Sequence, residues 1–504
     1  MSSHFFSKVG NNCGILETMR IHKWKRNIVN IIFIILVLLS FLFFFSGYYL
    51  QSNFSNVSFE QILFNLAQPL GNADQKIVIK GVIWCVVLPI TSTVLLFWGL
   101  CKTVFTTQNN KKILTSSIVV VLCFLLSSFY LFKASKIGPY LTAQQGSGTI
   151  YKDYYVDPKT VHFSFPEQKR NLIYIYMESM EQTYDDTNNG GDFEKSLIPN
   201  LSRLRKEGIN FGAGSSFMAS GVMGWTMGSL VAQTAGINIK SFRAQDDFDP
   251  NATVIPGAYA LGNILEDNGY TNMFLLGSDA NYSSRSTYFK SHGDYDIKDV
   301  YWAKNHGLIS KEYWENWGFE DKKLFDYAKN ILSDLKNEQP FNLTILTADT
   351  HFYDGYLCPD CEQTEDSQYS NVIRCSDKRV YSFVKWCETQ EWYSNTTIIL
   401  VGDHLTMDDE WSKRINSDFK RSIYYTILNS ATTPQRSDSR EFIALDMFPT
   451  TLSALGVQYD SERLGLGTDL FKTEDSLVEK YGLEKLDTML YSPSNYYIDN
   501  FLKN

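Results

Sequence analysis

Three apolar runs, at positions 28–50, 77–100 and 113–132, fill about half of the first 135 of 504 residues and set the first constraint on the fold. Each approaches the ~20 residues a helix needs to cross a bilayer core. Residues 1–135 are therefore expected to form a membrane domain of three transmembrane helices. A cleaved leader is disfavoured, because the first run exceeds the usual leader core and two more runs follow it. Arg20, Lys23, Lys25 and Arg26 precede the first run, and Lys102, Lys111 and Lys112 lie between the second and third. The positive-inside bias assigns those ends to the cytoplasm and everything after the third run to the outer face of the membrane. Lys133 and Lys136 oppose this orientation without outweighing it.

The net charge of −9 comes from the part after the apolar runs. Nucleic acid is excluded as a partner, since neutralising phosphates needs clustered Lys and Arg. Cys13, Cys85, Cys101 and Cys123 belong to the membrane part, leaving Cys358, Cys361, Cys375 and Cys387 in the outer part. An even number in an oxidising compartment favours disulfides. The most economical pairing joins Cys358 to Cys361 and Cys375 to Cys387, although four cysteines allow three connectivities. A zinc knuckle built on Cys358 and Cys361 is the alternative.

Residues 136–170 read as a linker along the outer domain, with its flexible point at 144–148. The run Asn-Leu-Ile-Tyr-Ile-Tyr-Met at 171–177 is continuously apolar and bounded by charge, the pattern of a strand buried on both faces of a sheet. Runs of the same type recur at 342–346 and 396–401, with a helical pattern at 322–335 between them. Strands alternating with helices imply an α/β domain with a mainly parallel central sheet, assigned to residues 171–473. A helix is expected over 446–456, with Pro449 near its start and Gly456 at its end. The tail at 474–504 carries Tyr481, Tyr491, Tyr496, Tyr497 and Phe501, and packing on the outer domain or at the membrane interface both remain open.

In parallel α/β sheets, chemistry collects at the carboxyl ends of strands. Here Glu178 ends the first run, Asp349 and His351 follow the second, and Asp403-His404 ends the third. Glu178, Asp403 and His404 supply two hard oxygens and one imidazole, a set suited to Mn²⁺ or Zn²⁺ rather than Ca²⁺, with Mg²⁺ a further alternative. Thr226, in Gly-Trp-Thr-Met-Gly at 224–228, would complete the shell through its hydroxyl. One bound divalent metal, Mn²⁺ by preference, would lower the hydroxyl pKa and make threonine a nucleophile at neutral pH. Trp225 reads as packing for the nucleophile turn.

Taken together, the segments at 171–179 (NLIYIYMES), 224–228 (GWTMG), 290–293 (KSHG), 347–355 (TADTHFYDG) and 402–405 (GDHL) resemble the phosphoglycerol transferases. These are the lipoteichoic-acid-synthase-like and periplasmic-glucan enzymes of the alkaline phosphatase/sulfatase superfamily, and the resemblance covers about 165–472. It implies an alkaline-phosphatase-like domain behind transmembrane helices in the bacterial cytoplasmic membrane. It further implies transfer of sn-glycerol-1-phosphate from phosphatidylglycerol to a glycan or polyglycerol-phosphate acceptor through a covalent Thr226 intermediate. Carried over by position, the metal ligands are Glu178, Thr226, Asp403 and His404, His351 contacts phosphate, and Arg285 binds substrate. The family's aromatic two residues before that arginine is Ser283 here, with Tyr282 as a candidate substitute. His292 and Lys290 read as structural or neighbouring the substrate, Asp349 as orienting its loop, and Trp314 and Trp317 as a pocket rim. Two alternatives are a phosphoethanolamine transferase and a catalytically silent, membrane-anchored glycan-binding module. Sulfatase chemistry is disfavoured by the lack of Cys/Ser-x-Pro-x-Arg at position 226.

Overall fold

The computed structural model describes residues 3–53, 59, 61–63, 75–101, 110–146, 148–212, 214–240, 254–335 and 340–502. The chain divides into two compact units, residues 1–55 with 74–138, and residues 56–73 with 139–504. In the first unit three helical stretches, Ile28–Asn53, Val78–Gly99 and Leu114–Ala134, are long and apolar enough to cross a membrane, and only 6% to 11% of their most apolar windows is buried. So much exposed apolar surface suits lipid as the surrounding solvent. Phe33, Val37 and Val120 pack together, and Phe43 meets Phe124 at 5.7 Å between ring centroids. The second stretch passes through a π-helical turn at Ile83–Val87, just before Pro89. Proline has no N–H to give the carbonyl four residues back, and its ring crowds that carbonyl, so the ladder widens there.

The second unit is built on a six-stranded sheet. Its strands are β1 (Asn171–Met177), β3 (Thr271–Leu276), β4 (Asp296–Lys298), β5 (Phe341–Leu346), β6 (Thr396–Gly402) and β8 (Tyr425–Leu428), in the order β4-β3-β5-β1-β6-β8. All neighbours are parallel except β6 and β8, which makes the sheet mixed but mainly parallel. β1 is central and completely buried, as its unbroken apolar run requires. Its odd residues Ile173, Ile175 and Met177 share one core with Leu201 and Leu204, with Leu324, Phe325 and Leu332, and with Ile373, Val380 and Phe383. Those residues lie on the helices Pro199–Glu207, Asp321–Leu335 and Gln368–Cys387. Its even residues face the other layer, where Tyr174 donates its hydroxyl to Gln233 of the helix Thr226–Ala235 at 2.7 Å.

Registers place the catalytic candidates. Tyr176 pairs with Leu346 and Met177 with Gly402, so Glu178, Thr347 and Asp403 leave the sheet at one edge. A small sheet of β2 (Ser216–Met218), β7 (Ser422–Ile423) and β9 (Glu441–Phe442) carries the chain toward position 226.

The tail settles on the second unit. Arg440 Nε binds Glu479 Oε1 at 2.9 Å, and Leu486 and Leu490 of the helix Leu483–Tyr491 are buried. The economical cysteine pairing is not what forms: Cys361 bonds Cys375 with Cα atoms 5.5 Å apart, while Cys358 and Cys387 carry free thiols. Cys375 and Cys387 lie in one helix, where twelve residues span about 18 Å and forbid a bond. Cys387 instead fills the apolar core.

Candidate active site

Ligand atoms of Glu178, Asp403 and His404 all lie within 4.8 Å of one another, and all three residues are buried. His404 Nε2 is 3.3 Å from Asp403 Oδ2 and 3.6 Å from Glu178 Oε1. Thr226 Oγ1 lies 3.3 Å from the same nitrogen. The imidazole is held by Nδ1, which donates to the Leu405 carbonyl at 2.8 Å. A carbonyl only accepts, so Nδ1 carries a proton, and in the neutral ring Nε2 presents its lone pair to the cluster. The sequence-derived set of Glu178, Thr226, Asp403 and His404 thus converges on one point.

That point suits a divalent cation on its own chemistry. Asp403 Oδ2 is buried and has no hydrogen-bond partner among the described residues. Burial, and then the charge of Glu178, push the Asp403 carboxyl up to about 7. Burial acts to lower His404, but Asp403 and Glu178 outweigh it and raise the imidazole above its ordinary value. Two carboxylates facing each other in a dry site are destabilising without a cation, and an orphaned oxygen beside a lone-pair nitrogen is a ligand set.

The neighbouring residues aim these groups. Ser179, in a left-handed conformation (φ 52°), donates its N–H to Asp403 Oδ1 and its hydroxyl to Glu178 Oε1, both at 2.8 Å. Glu178 N–H donates to Thr347 Oγ1 at 2.9 Å, and Thr350 donates its hydroxyl to the Glu178 carbonyl. Glu181 takes Thr406 N–H at 2.9 Å and a two-point bond from Arg421, which holds the loop after Asp403-His404. Ser179, Thr347, Thr350, Glu181 and Arg421 escaped the sequence reading, although Ser179, Thr347 and Thr350 lie inside motifs it quoted.

Thr226 opens the helix Thr226–Ala235, with extended Trp225 before it. Tryptophan offers no side-chain acceptor for a cap, so the first-turn N–H groups and the positive end of the helix face the threonine, where an anionic phosphoryl group would bind. A Cβ at Gly228 would lie 2.4 Å from Trp225 Nε1, so the indole packs on the bare glycine.

His351 donates from Nδ1 to the Phe352 carbonyl at 2.8 Å, and burial pushes its pKa down to about 4. Its ring lies 4.4 Å from Trp317, Trp317 lies 5.6 Å from Tyr282, and the Arg285 guanidinium stands 5.4 Å over Tyr282. Tyr282, not Ser283, therefore supplies the aromatic beside the arginine. Arg285 is buried, which lowers its pKa, and it gives Nε to the Tyr282 carbonyl at 3.0 Å and Nη2 to that of Asp279 at 2.8 Å. Asp349 exchanges bonds with Asp321 at the start of the helix Asp321–Leu335, each carboxylate accepting the other residue's N–H at 3.1 to 3.2 Å. Burial and the charge of Asp321 raise Asp349 well above the usual carboxylate range. His292 is not brought to the cluster: it binds the Val254 carbonyl at 2.9 Å, and burial lowers its pKa. Lys290 is exposed, as is Trp314.

A sequence model described as Sulfatase matches residues 170–457, more than half of the chain. Phosphoglycerol transferase I of Xanthomonas axonopodis pv. citri is 30% identical over 315 residues, covering 61% of this chain and 43% of that protein. The chain spans less than half the length of such curated relatives. A protein in the alkaline phosphatase superfamily from Vibrio parahaemolyticus is similar in structure, with a TM-score of 0.50 at 22% identity, covering 67% of this chain and 78% of that one. So is the lipooligosaccharide phosphoethanolamine transferase A of Neisseria meningitidis, with a TM-score of 0.50 at 16% identity over 84% of each chain. These structural likenesses concern the fold, an alkaline-phosphatase-like domain. With the matched segment enclosing Glu178, Thr226, Asp403 and His404, the chain belongs to the sulfatase family.

Proposed function

We propose that this chain is a membrane-anchored phosphotransferase that moves sn-glycerol-1-phosphate from phosphatidylglycerol to a glycan or polyglycerol-phosphate acceptor outside the cytoplasm. The observation that carries the reading is the Thr226 hydroxyl, 3.3 Å from a lone-pair nitrogen of His404 at the start of a helix and beside two buried carboxylates. Family membership alone does not carry sulfatase chemistry, because position 226 is threonine in Gly-Trp-Thr-Met-Gly. The similarity to phosphoglycerol transferase I supports the donor headgroup.

Glu178, Asp403, His404 and Thr226 would hold one divalent metal, by preference Mn²⁺ and otherwise Zn²⁺ or Mg²⁺. Bound there, such an ion acidifies a coordinated hydroxyl and offsets charge on phosphoryl oxygens. Thr226 Oγ1 gives up its proton and bonds to the donor phosphorus as the phosphorus–oxygen bond to diacylglycerol breaks, and diacylglycerol leaves as the alcohol that takes up that proton. An acceptor oxygen then bonds to the same phosphorus as the phosphorus–oxygen bond to Thr226 breaks, and the acceptor's proton is returned to Thr226 Oγ1. The first-turn amides of its helix hold the phosphoryl oxygens through both steps. His351, with Nδ1 committed to the Phe352 carbonyl, stands at the place the resemblance gives to the histidine that contacts the phosphate. Arg285 and the aromatic wall of Tyr282 and Trp317 border the glycerol headgroup.

The test is intact-mass analysis of the full chain in vesicles with Mn²⁺ and phosphatidylglycerol but no acceptor, the adduct then being mapped by peptide. A glycerol-phosphate adduct on Thr226, absent from Thr226→Ala, is the expected result. An adduct formed only from phosphatidylethanolamine moves the chain to phosphoethanolamine transfer, and none from either lipid leaves a silent binding module.

A further inference from the structure

The turn that delivers Thr226 is held from outside the family-matched segment. Ser220 donates its hydroxyl to Asp487 Oδ1 at 2.6 Å, and Gly221 donates its N–H to Asp487 Oδ2 at 2.9 Å. Tyr491, one helical turn further on, donates its hydroxyl to the Gly221 carbonyl at 3.1 Å. Both residues belong to the helix Leu483–Tyr491, whereas the family match ends at 457. From Ser220 the chain reaches the nucleophile through a run of tight local bonds. Val222 N–H donates to Ser220 Oγ at 3.2 Å, Met223 N–H to the Ser220 carbonyl at 3.2 Å, and Trp225 N–H to the Met223 carbonyl at 2.9 Å. Four residues separate Gly221 from Thr226, so little slack remains between the pinned point and the reacting hydroxyl. Gly221 is exposed and the turn lies between β2 and the helix of Thr226, so the tail's bonds at Ser220 and Gly221 add to the hold that buried Val222, Met223 and Trp225 supply.

We propose that Asp487 is a positioning residue for phosphoryl transfer: its carboxylate, supplied by the C-terminal tail, fixes the 220–225 turn and thereby the attack position of Thr226 Oγ1. The proposal rests on the reading of Thr226 as nucleophile. Burial pushes the Asp487 carboxyl up to about 6, which leaves it ionised at neutral pH, the form able to accept from both donors. An asparagine there keeps the shape but accepts from only one of them. The tail has separate attachments that leave the turn untouched: Glu479 binds Arg440, and Lys480 Nζ donates to the Tyr154 hydroxyl at 2.8 Å. Holding the tail in place and positioning the turn are therefore separable by substitution.

The experiment compares wild type, Asp487→Asn, Ser220→Ala and Glu479→Gln as full chains in phosphatidylglycerol vesicles. It reads the single-turnover rate of adduct formation on Thr226 at varied lipid, together with amide hydrogen exchange over 219–226. Asp487→Asn should slow the saturated rate on the order of tenfold, leave the half-saturating lipid concentration unchanged and speed exchange in the turn. Ser220→Ala should act in the same direction, and the double variant should add little to either single one. Glu479→Gln should lower thermal stability at least as much as Asp487→Asn while leaving rate and exchange as in wild type. An unchanged saturated rate in Asp487→Asn overturns the proposal, and so does equal slowing in Glu479→Gln. If wild type forms no adduct, the donor reading fails, and the exchange comparison alone decides whether Asp487 holds the turn.

Discussion

The backbone N–H of Ser179 donates to Asp403 Oδ1 at 2.8 Å, so the residue that follows Glu178 at the end of β1 fixes a carboxylate carried beyond β6. With Oδ1 engaged by Ser179 and by His404 N–H, Oδ2 is left turned toward His404 Nε2. The hydroxyl of the same serine fixes Glu178, and both candidate ligands are aimed by one residue.

Ser179→Ala keeps the backbone bond and removes the hydroxyl. Groups that orient a ligand typically carry one to two decades of metal affinity, so Mn²⁺ binding should weaken on the order of tenfold with the fold intact. Metal titration followed by calorimetry checks this, and an affinity equal to wild type would show that Glu178 needs no such support.

The Asp321–Asp349 pair predicts a pH dependence of stability. Burial pushes Asp321 up to about 6 and places Asp349 well above its ordinary value. For acids with raised native pKa values, the stabilising contribution is complete below the unfolded value near 4 and is lost as pH rises through the native values. Asp349→Asn imitates the protonated form and still accepts from Asp321 N–H. Relative to wild type, it should raise Tm at pH 8 and change it little at pH 5. The reverse ordering in thermal scans would mean that the pair is ionised without cost.

Arg285→Lys should weaken use of the donor more than it harms the fold. The guanidinium already gives Nε and Nη2 to two carbonyls, and its planar fork cannot be copied by an ammonium. An increase in KM for phosphatidylglycerol on the order of tenfold is expected, at similar kcat. A fall in kcat alone would place Arg285 with the reacting phosphoryl group and not with the headgroup.

Removing the staple Cys361–Cys375 tests stability alone. The bond closes a loop with a sequence separation of 14. Chain entropy assigns such a loop about 3 kcal/mol, so Cys361→Ser should lower Tm by several degrees while leaving metal binding unaltered. Cys358→Ser, at a free thiol, should change neither Tm by that amount nor metal binding.

The sequence revealed most where one physical demand dominates. A strand buried on both faces must be apolar throughout, and this exposed β1, β5 and β6 together with the residues at their ends. β3 went unread because Met-Phe-Leu-Leu after Thr271-Asn272 is too short to separate a strand from a helical turn by period. The disulfide was misassigned because proximity along the chain says nothing about direction: a helix carries Cys375 and Cys387 about 18 Å apart. Ser179 was invisible as an orienting group because its role depends on a left-handed backbone that serine rarely adopts. The tail's grip on the turn joins residues 267 positions apart, a pairing with no periodic signature at all.

The indole of Trp225 resting on Gly228 ties two letters of the nucleophile motif into one steric unit. Adding even a methyl group at 228 evicts the ring, and trimming the ring leaves a hollow behind the threonine. Substitutions at these positions are tolerable only as a matched exchange, so a library that varies them one at a time will register both as immutable, whereas paired randomisation will find the combinations that still present Thr226.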